Sequence, residues 1–267
     1  MKNGINIFCL ALLVIVGLVS CHKEDVLELP KANFSNFPKP FGKGTFAFKC
    51  TYTGNGQLQI SDHDTIVLPL DSNLHFELFN FFKWDVDEWY VFNEFVLIEM
   101  DAKTPYKQWI ELQNELRKLN LLRVVILTNS PDSITGIRKQ LPPIWVEEEV
   151  YFHPDYLERF PLPPPPPQFH LSKYDTLSTA YFEIELDQIA VYSEAGQRID
   201  FSEFVESNEN VMCRYKENSI ETFQQYVQIT DFIFSTIYQA REERMFKDSL
   251  TRKQVKKIYP IRMLAIK

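Results

Sequence analysis

The chain has 267 residues, 45% of them hydrophobic and 24% charged, with a formal net charge of −8. That length and apolar content are enough for more than one small core. The acidic balance, with no basic stretch interleaved with aromatics, argues against a nucleic-acid partner and against electrostatic binding to anionic lipid.

The N-terminus reads as a targeting device. Lys2 supplies a positive start, Ile5 to Val19 an apolar core, and Leu18-Val19-Ser20-Cys21 has the form of a bacterial lipobox. A lipoprotein signal is cut before its cysteine, whose thiol carries the lipid, so Cys21 is the expected lipidation site. The apolar run is short for a span of ~20 residues and polar chain follows at once, which disfavours a transmembrane anchor. An ordinary signal peptide is the other reading. Removing residues 1–20 takes away Lys2 and no acid, so the net charge goes from −8 to −9. Attachment then rests on the lipid, and a multiply acylated cysteine anchors stably where a single chain does not. His22-Lys23-Glu24-Asp25 resembles the surface-export signal of Bacteroidetes lipoproteins, or is an ordinary solvated tether. The expected location is the outer membrane, on its periplasmic side or at the cell surface.

Residues 22–44, with Pro30, Pro38 and Pro40, read as a tether. From Thr45 the alternation of Phe46, Phe48 and Cys50, the turn Gly54-Asn55-Gly56, and Leu58 and Ile60 predict a hairpin, with another strand over Thr65–Leu70. Phe95 to Met100 is an apolar strand ending in Asp101. Thr104-Pro105 then gives an N-cap residue and a good first helical residue. Tyr106, Trp109, Ile110, Leu112, Leu116 and Leu119 mark one helical face, and Arg117 and Lys118 suit its C-terminal end. Val124 to Leu127 is apolar on both faces, a buried strand. This strand–helix–strand unit predicts parallel strands with a right-handed crossover. Asn129 to Ser133 reads as a loop. Ile134, Ile137 and Leu141 space as a short helix stopped by Pro142-Pro143. Glu147–Glu149 and the proline run ending at Pro167 mark a boundary, with polyproline II as a semi-rigid spacer.

Beyond it, Tyr181 to Tyr192 predict two strands, Ala195-Gly196 a tight turn, and Ile199 a return to the ladder. Asn218 to Glu221 resembles a capping box. A helix of about 25 residues, near 38 Å long, follows to Phe246 with a charged far half (Arg241 to Lys247) that should project. Lys253–Lys257, Tyr259-Pro260 and Ile261–Ile266 predict a closing extended segment.

Two stretches match each other. Phe223 to Ile229 lies on Tyr106 to Leu112 without a gap at an offset of 117 residues (Tyr226 on Trp109), and each apolar position of the first meets an apolar position of the second. Val211–Arg214 then falls within about two residues of the counterpart of Val96–Met100, and a repeat this long means duplicated units rather than a solenoid. The string from Val96 to Thr128, with Asp101, Tyr106 and Thr128 in place, resembles the periplasmic domain of the ExbD/TolR family. The tail from Tyr238 to Ile266 looks like its long-tailed Bacteroidetes variant.

The resemblance implies an α+β fold in two tandem copies, each a small mixed sheet with helices on one face. One helix is expected between the Thr65 strand and the strand ending at Asp101, near Leu74–Phe82. The division is 1–21 signal and lipobox, 22–44 tether, 45–145 first ExbD-like domain, 146–178 Pro-rich linker and 179–267 second domain.

Little points to catalysis. Of four cysteines, Cys9 leaves with the signal and Cys21 is lipidated, so Cys50 and Cys213 remain, as a disulfide or as buried thiols. The five histidines show no H-x-x-x-H spacing and there is no C-x-x-C, so no zinc and no other metal or cofactor is expected. Asp62-His63-Asp64 is most simply a solvent-facing loop. Asp101 ends a buried strand beside a helix start, a common catalytic place in α/β folds, yet no base or nucleophile stands at a telling spacing. The expectation is a non-catalytic lipoprotein.

Family members transmit the motion of a proton-conducting partner through a transmembrane helix bearing an essential acid. No such helix is expected here, so only the interaction role carries over. That gives an accessory of envelope biopolymer transport, with TonB/ExbB-type or Tol-type proteins or peptidoglycan as partners. Asp101, Tyr106, Trp109, Phe223 and Tyr226 are the interaction residues, and homodimers through strand edges follow the family. The alternative is a surface lipoprotein that binds a nutrient or glycan on Trp84, Trp89 and Tyr90.

Overall fold

The structure, a computed structural model, describes residues 27–36, 46–54, 56–61, 65–71, 73–82, 95–118, 121–130, 133–141 and 177–266. The signal and lipobox, the Asp62–Asp64 loop, Trp84, Trp89, Tyr90 and most of the Pro-rich stretch lie outside the described residues.

The first unit opens with β1 (Phe46–Gly54) and β2 (Gln57–Ser61), a hairpin whose turn uses the +70° φ of Gly56, a value other residues adopt at a cost. Then come β3 (Thr65–Pro69), α1 (Leu74–Phe82), β4 (Phe95–Glu99), α2 (Tyr106–Lys118), β5 (Arg123–Ser130) and β6 (Ser133–Gln140). They make a six-stranded sheet in the order β3-β2-β1-β4-β5-β6. Strands β1, β4 and β5 run parallel, and β2, β3 and β6 are added antiparallel.

The second unit has β7 (Thr179–Glu185), β8 (Gln188–Ser193), α3 (Phe201–Ser207), β9 (Met212–Lys216), a 3-10 turn (Glu217–Ser219), α4 (Phe223–Asp248), α5 (Arg252–Ile258) and β10 (Met263–Ile266). Its sheet order is β10-β9-β7-β8, with β10, β9 and β7 parallel and β8 antiparallel. The order and sense of β8-β7-β9-β10 repeat those of β2-β1-β4-β5. Both β9 and α4 begin 117 residues after β4 and α2, at 212 against 95 and 223 against 106. The fold class is therefore α+β, two mixed sheets of related topology.

Strand β5 explains its own sequence. Val124 and Ile126 enter a core continuous with that of the second unit, while Val125 and Leu127 pack with Leu97 on the opposite face under Leu27 and Leu29. Both faces are covered, so the run is apolar throughout.

Five expectations are corrected. Ile134 to Gln140 is strand, not helix, because Ile134, Thr135 and Ile137 are β-branched and the segment pairs with β5 from Ser130↔Ser133 to Arg123↔Gln140. The capping box is Thr222 with Gln225, not Asn218 with Glu221, and residues 217–219 are the 3-10 turn. Thr104 does not cap with its side chain, whose Oγ1 is buried without a partner. Its carbonyl is used instead, as shown below. Residues 252–258 are helical, with Thr251 and Gln254 forming a second capping box, so only Met263–Ile266 of the closing segment is strand. Finally, Arg241 does not project. It is buried, and its guanidinium donates from Nε and Nη2 to the Tyr259 carbonyl at 2.8 and 2.5 Å.

Candidate functional site at the seam of the two units

The seam is built from two helix starts. Tyr106 N–H donates to the Glu221 carbonyl at 2.8 Å, and Phe223 N–H to the Thr104 carbonyl at 2.8 Å, around an antiparallel bridge between Pro105 and Thr222. Under the 117-residue offset these are one bond made twice, the reciprocal pattern of a two-fold contact. Each helix leaves early N–H groups without intrahelical partners, and here each unit satisfies one for the other.

Behind the bridge the rings meet. Trp109 lies 5.3 Å from Phe223 and 5.6 Å from Tyr226, and Tyr106 5.6 Å from Tyr226, centroid to centroid. Aromatic side chains bury about 150–250 Å² each. At about 25 cal/mol per Å², four of them are worth roughly 15–25 kcal/mol of gross burial before ordering entropy is subtracted. The two phenol tips are paired, while Trp109 Nε1 is buried without a partner. Tyr106 Oη donates to Tyr215 Oη at 3.5 Å, and Lys139 Nζ donates to Tyr226 Oη. Burial pushes the phenols of Tyr106 and Tyr215 upward, so both stay neutral.

Four of the expected interaction residues are thus brought together, but facing one another. Tyr106 is 5% exposed, and Trp109, Phe223 and Tyr226 are fully buried. Their contact is between the halves of this chain, and no surface of theirs remains for an outside partner. Asp101 has a different task. Its Oδ1 accepts Lys103 N–H and its Oδ2 accepts Glu28 N–H, both at 2.8 Å. It caps its own turn and holds the segment preceding the first sheet.

That segment, residues 27–36, lies inside the expected tether and straps both units. Glu28 accepts Ala102 N–H, and the Lys31 region pairs with Asn129 in a parallel bridge. Gln224 then reads the Lys31 backbone, its Oε1 accepting the N–H at 2.7 Å and its Nε2 donating to the carbonyl at 3.1 Å. Asp231 accepts Asn33 N–H at 3.2 Å and Phe34 N–H at 2.6 Å, and Phe34 packs edge-on against Phe234. Burial raises the Asp231 pKa, against the two backbone bonds that lower it. Beside the strap opens a cleft of about 700 Å³ lined by Lys31, Asn33, Lys103, Asn129, Gln224 and Gln228 among others. Its amides and ammonium groups suit a polar ligand. Nothing in the sequence marked Gln224, Gln228 or Asp231, which are polar residues on the outer side of a long helix.

One strand edge differs between the units. Strand β5 has β6 on its outer side and buries Val124 to Thr128. Its counterpart β10 pairs only with β9 among the described residues, and Met263 to Ile266 are all partly or fully exposed, Leu264 at 38%. Lys107, on the outer side of α2, is also open to solvent.

Other candidate chemistry is structural. Cys50 and Cys213 are free, buried thiols in different sheets, and burial pushes both pKa values up, away from reactivity. A buried charged group the sequence reading missed joins α1 to α2. His75 Nδ1 lies 2.7 Å from Glu115 Oε2, and Lys118 Nζ donates to Glu115 Oε1 at 2.7 Å. Burial alone would raise the Glu115 pKa, but these bonds outweigh it and hold the carboxyl below its usual range. Among the described residues no three His, Cys, Asp or Glu side chains form a metal-holding group, and no helix is long and apolar enough to cross a membrane. No family model, curated protein or solved structure matches the chain.

Proposed function

We propose that the protein is a non-catalytic, membrane-anchored lipoprotein of the cell envelope, lipidated at Cys21, whose two ExbD/TolR-like units form one rigid interaction body. It takes in an extended segment of an envelope partner along the outer edge of β10. The carrying observation is the edge of β10, which has no outer partner among the described residues where the same strand of the first unit holds β6. A strand edge with exposed Leu264 and no strand partner among the described residues is a ready template for strand addition. The strap supports the same reading, because the scaffold already holds one extended segment of its own chain by backbone hydrogen bonds. The resemblance in Val96–Thr128 suggests a TonB/ExbB-type or Tol-type partner, with this chain as an accessory of that transport.

The second reading, a binder of a nutrient or glycan, is favoured by the polar cleft beside the strap. A photoreactive residue placed at Leu264, with a second at Lys107, separates the two in cells. Adducts from position 264 to a TonB-, ExbB- or Tol-like protein support strand capture. Adducts confined to outer-membrane receptors, or a position 264 as silent as an arbitrary exposed site, end it in favour of the cleft.

A further inference from the structure

Helix α5 carries a charge that the whole-chain balance hides. Arg252, Lys253, Lys256 and Lys257 are all exposed, while Val255 is fully buried and Ile258 half-buried beneath them. At 100° per residue the four cations span an arc of about 140°, with Val255 and Ile258 on the opposite side. Among the described residues their side chains take part in no hydrogen bond or ion pair. Elsewhere the chain's charges are often matched, as in Lys49–Glu99, Lys216–Glu183 and Arg244–Asp248. A chain of net charge −8 thus presents a cationic face that has no ion-pair partner among the described residues.

The helix is held rigidly enough to present it. Thr251 and Gln254 form its capping box, and Tyr259 at its C-cap accepts the buried Arg241 guanidinium at its carbonyl. Lys256 and Lys257 suit the C-terminal end of the helix dipole, but Arg252 and Lys253 stand in its first turn, where that field opposes them, and the four like charges repel one another.

We propose that the outer face of α5 docks on the anionic lipid headgroups of the membrane that carries the protein. Three of the four cations are lysines, compact point charges on mobile stems. They suit a diffuse layer of phosphates better than one bidentate ligand. Clusters of four to eight such residues on an amphipathic helix are the pattern that binds anionic lipid. The location rests on the lipoprotein reading. The strap strengthens it, because five residues separate Cys21 from Leu27, the first strapped residue. Six Cα–Cα steps reach no more than about 21 Å, so a lipidated chain holds its body close to the headgroups.

The test is cosedimentation of residues 22–267, which contain every described residue and no lipid, with vesicles. Phosphatidylcholine vesicles with about 30% phosphatidylglycerol are compared with pure phosphatidylcholine, at about 0.05 M and 0.5 M salt. Binding to the anionic vesicles alone, lost at high salt and at least tenfold weaker in the R252Q/K253Q/K256Q/K257Q variant, is the expected result. All four side chains are exposed, so the variant keeps the wild-type melting temperature. Equal binding by the variant, or retention on soluble polyphosphate with none on vesicles, overturns the proposal. Because no acyl chain is present, failure here is separate from failure of lipidation, which is read by labelled fatty-acid incorporation at Cys21 in cells.

Discussion

The two units place the same helix pair in contact and fill that contact with opposite chemistry. In the first, α1 meets α2 through the polar side chains of His75, Glu115 and Lys118, which are 3%, 6% and 13% exposed. In the second, α3 meets α4 through rings. Phe201 lies 5.8 Å from Phe232 and 4.9 Å from Phe182. Phe232 is the counterpart of Glu115 under the 117-residue offset, and Phe201, like His75, stands in the first turn of the shorter helix. One fold therefore accepts either solution at one position. A buried ion pair is neither required by the topology nor an evident gain over good apolar packing, since desolvation consumes much of its attraction.

The sharpest way to break the comparison is to remove one charge. Glu115→Ala leaves His75 and Lys118 buried around a missing acceptor, and a loss of about 3–5 kcal/mol is expected in urea unfolding. The paired change His75→Phe with Glu115→Phe, made together with Lys118→Ser (Ser235 is the counterpart of Lys118) so that no ammonium is left without its acceptor, copies the second unit and should stay within about 1–2 kcal/mol of wild type. If the paired variant falls as far as the single one, the second unit's solution does not transfer.

A smaller effect tests the seam. Tyr226→Phe keeps the ring against Trp109 but takes the hydroxyl from Lys139 Nζ, which sits on a residue only 8% exposed. A loss of about 1–3 kcal/mol is expected for an ammonium left short of its acceptor. The same change at Tyr181, a half-buried ring of β7 whose contact with Arg214 is through its face, should cost less than half as much. Equal losses would mean that the seam's polar tips carry no particular weight.

How much of this was legible in the sequence follows from where each signal lives. The β4–α2–β5 unit and the 117-residue repeat were readable because apolar spacing records a core, and the duplicated helix start at Tyr106 and Phe223 records the same core twice. Helix α3 was missed although Asp200 caps it, accepting from Ser202 and Glu203 N–H. Seven residues give too little periodicity to stand out. Strand β6 was misread since Ile134, Ile137 and Leu141 fit a three-residue step, and only pairing with β5 decides otherwise. The strap was least legible. It is ordered by Gln224 and Asp231, more than 190 residues away along the chain, and no local pattern encodes a bond of that range. The seam residues stand out in the sequence as apolar helix faces, but a sequence cannot say whether two buried faces meet each other or a stranger.

The strap gives the next effect. Gln224→Ala removes two hydrogen bonds to the Lys31 backbone, for about 1–2 kcal/mol at most, and its clearer sign is local. Limited proteolysis should cut near residues 27–36 several-fold faster while cleavage in α4 is unchanged. Lys107, at the counterpart position in α2, binds no strap, so Lys107→Ala should leave both rates alone.

The smallest effect is on pH, and its sign separates the units again. The Glu115 carboxyl is held below its ordinary 4.5 by His75 and Lys118, against its burial. The unfolded chain therefore binds protons there more readily than the folded one. The stabilisation is complete above 4.5 and drains away as the pH falls through the lower folded value. Asp231 runs the other way, since burial lifts it above 3.8. Its contribution is present below 3.8 and fades as the pH rises through its folded value. Phe232 cannot titrate, so the second unit adds nothing at the matching position. Unfolding free energies measured between about pH 3 and 6 should therefore fall less steeply toward acid in Glu115→Gln than in wild type. In Asp231→Asn the acid-side fall should become steeper, because the opposing group is gone. A Glu115→Gln profile parallel to wild type would show that the His75–Glu115–Lys118 cluster does not store the acid sensitivity, and the two units would then differ in chemistry without differing in response.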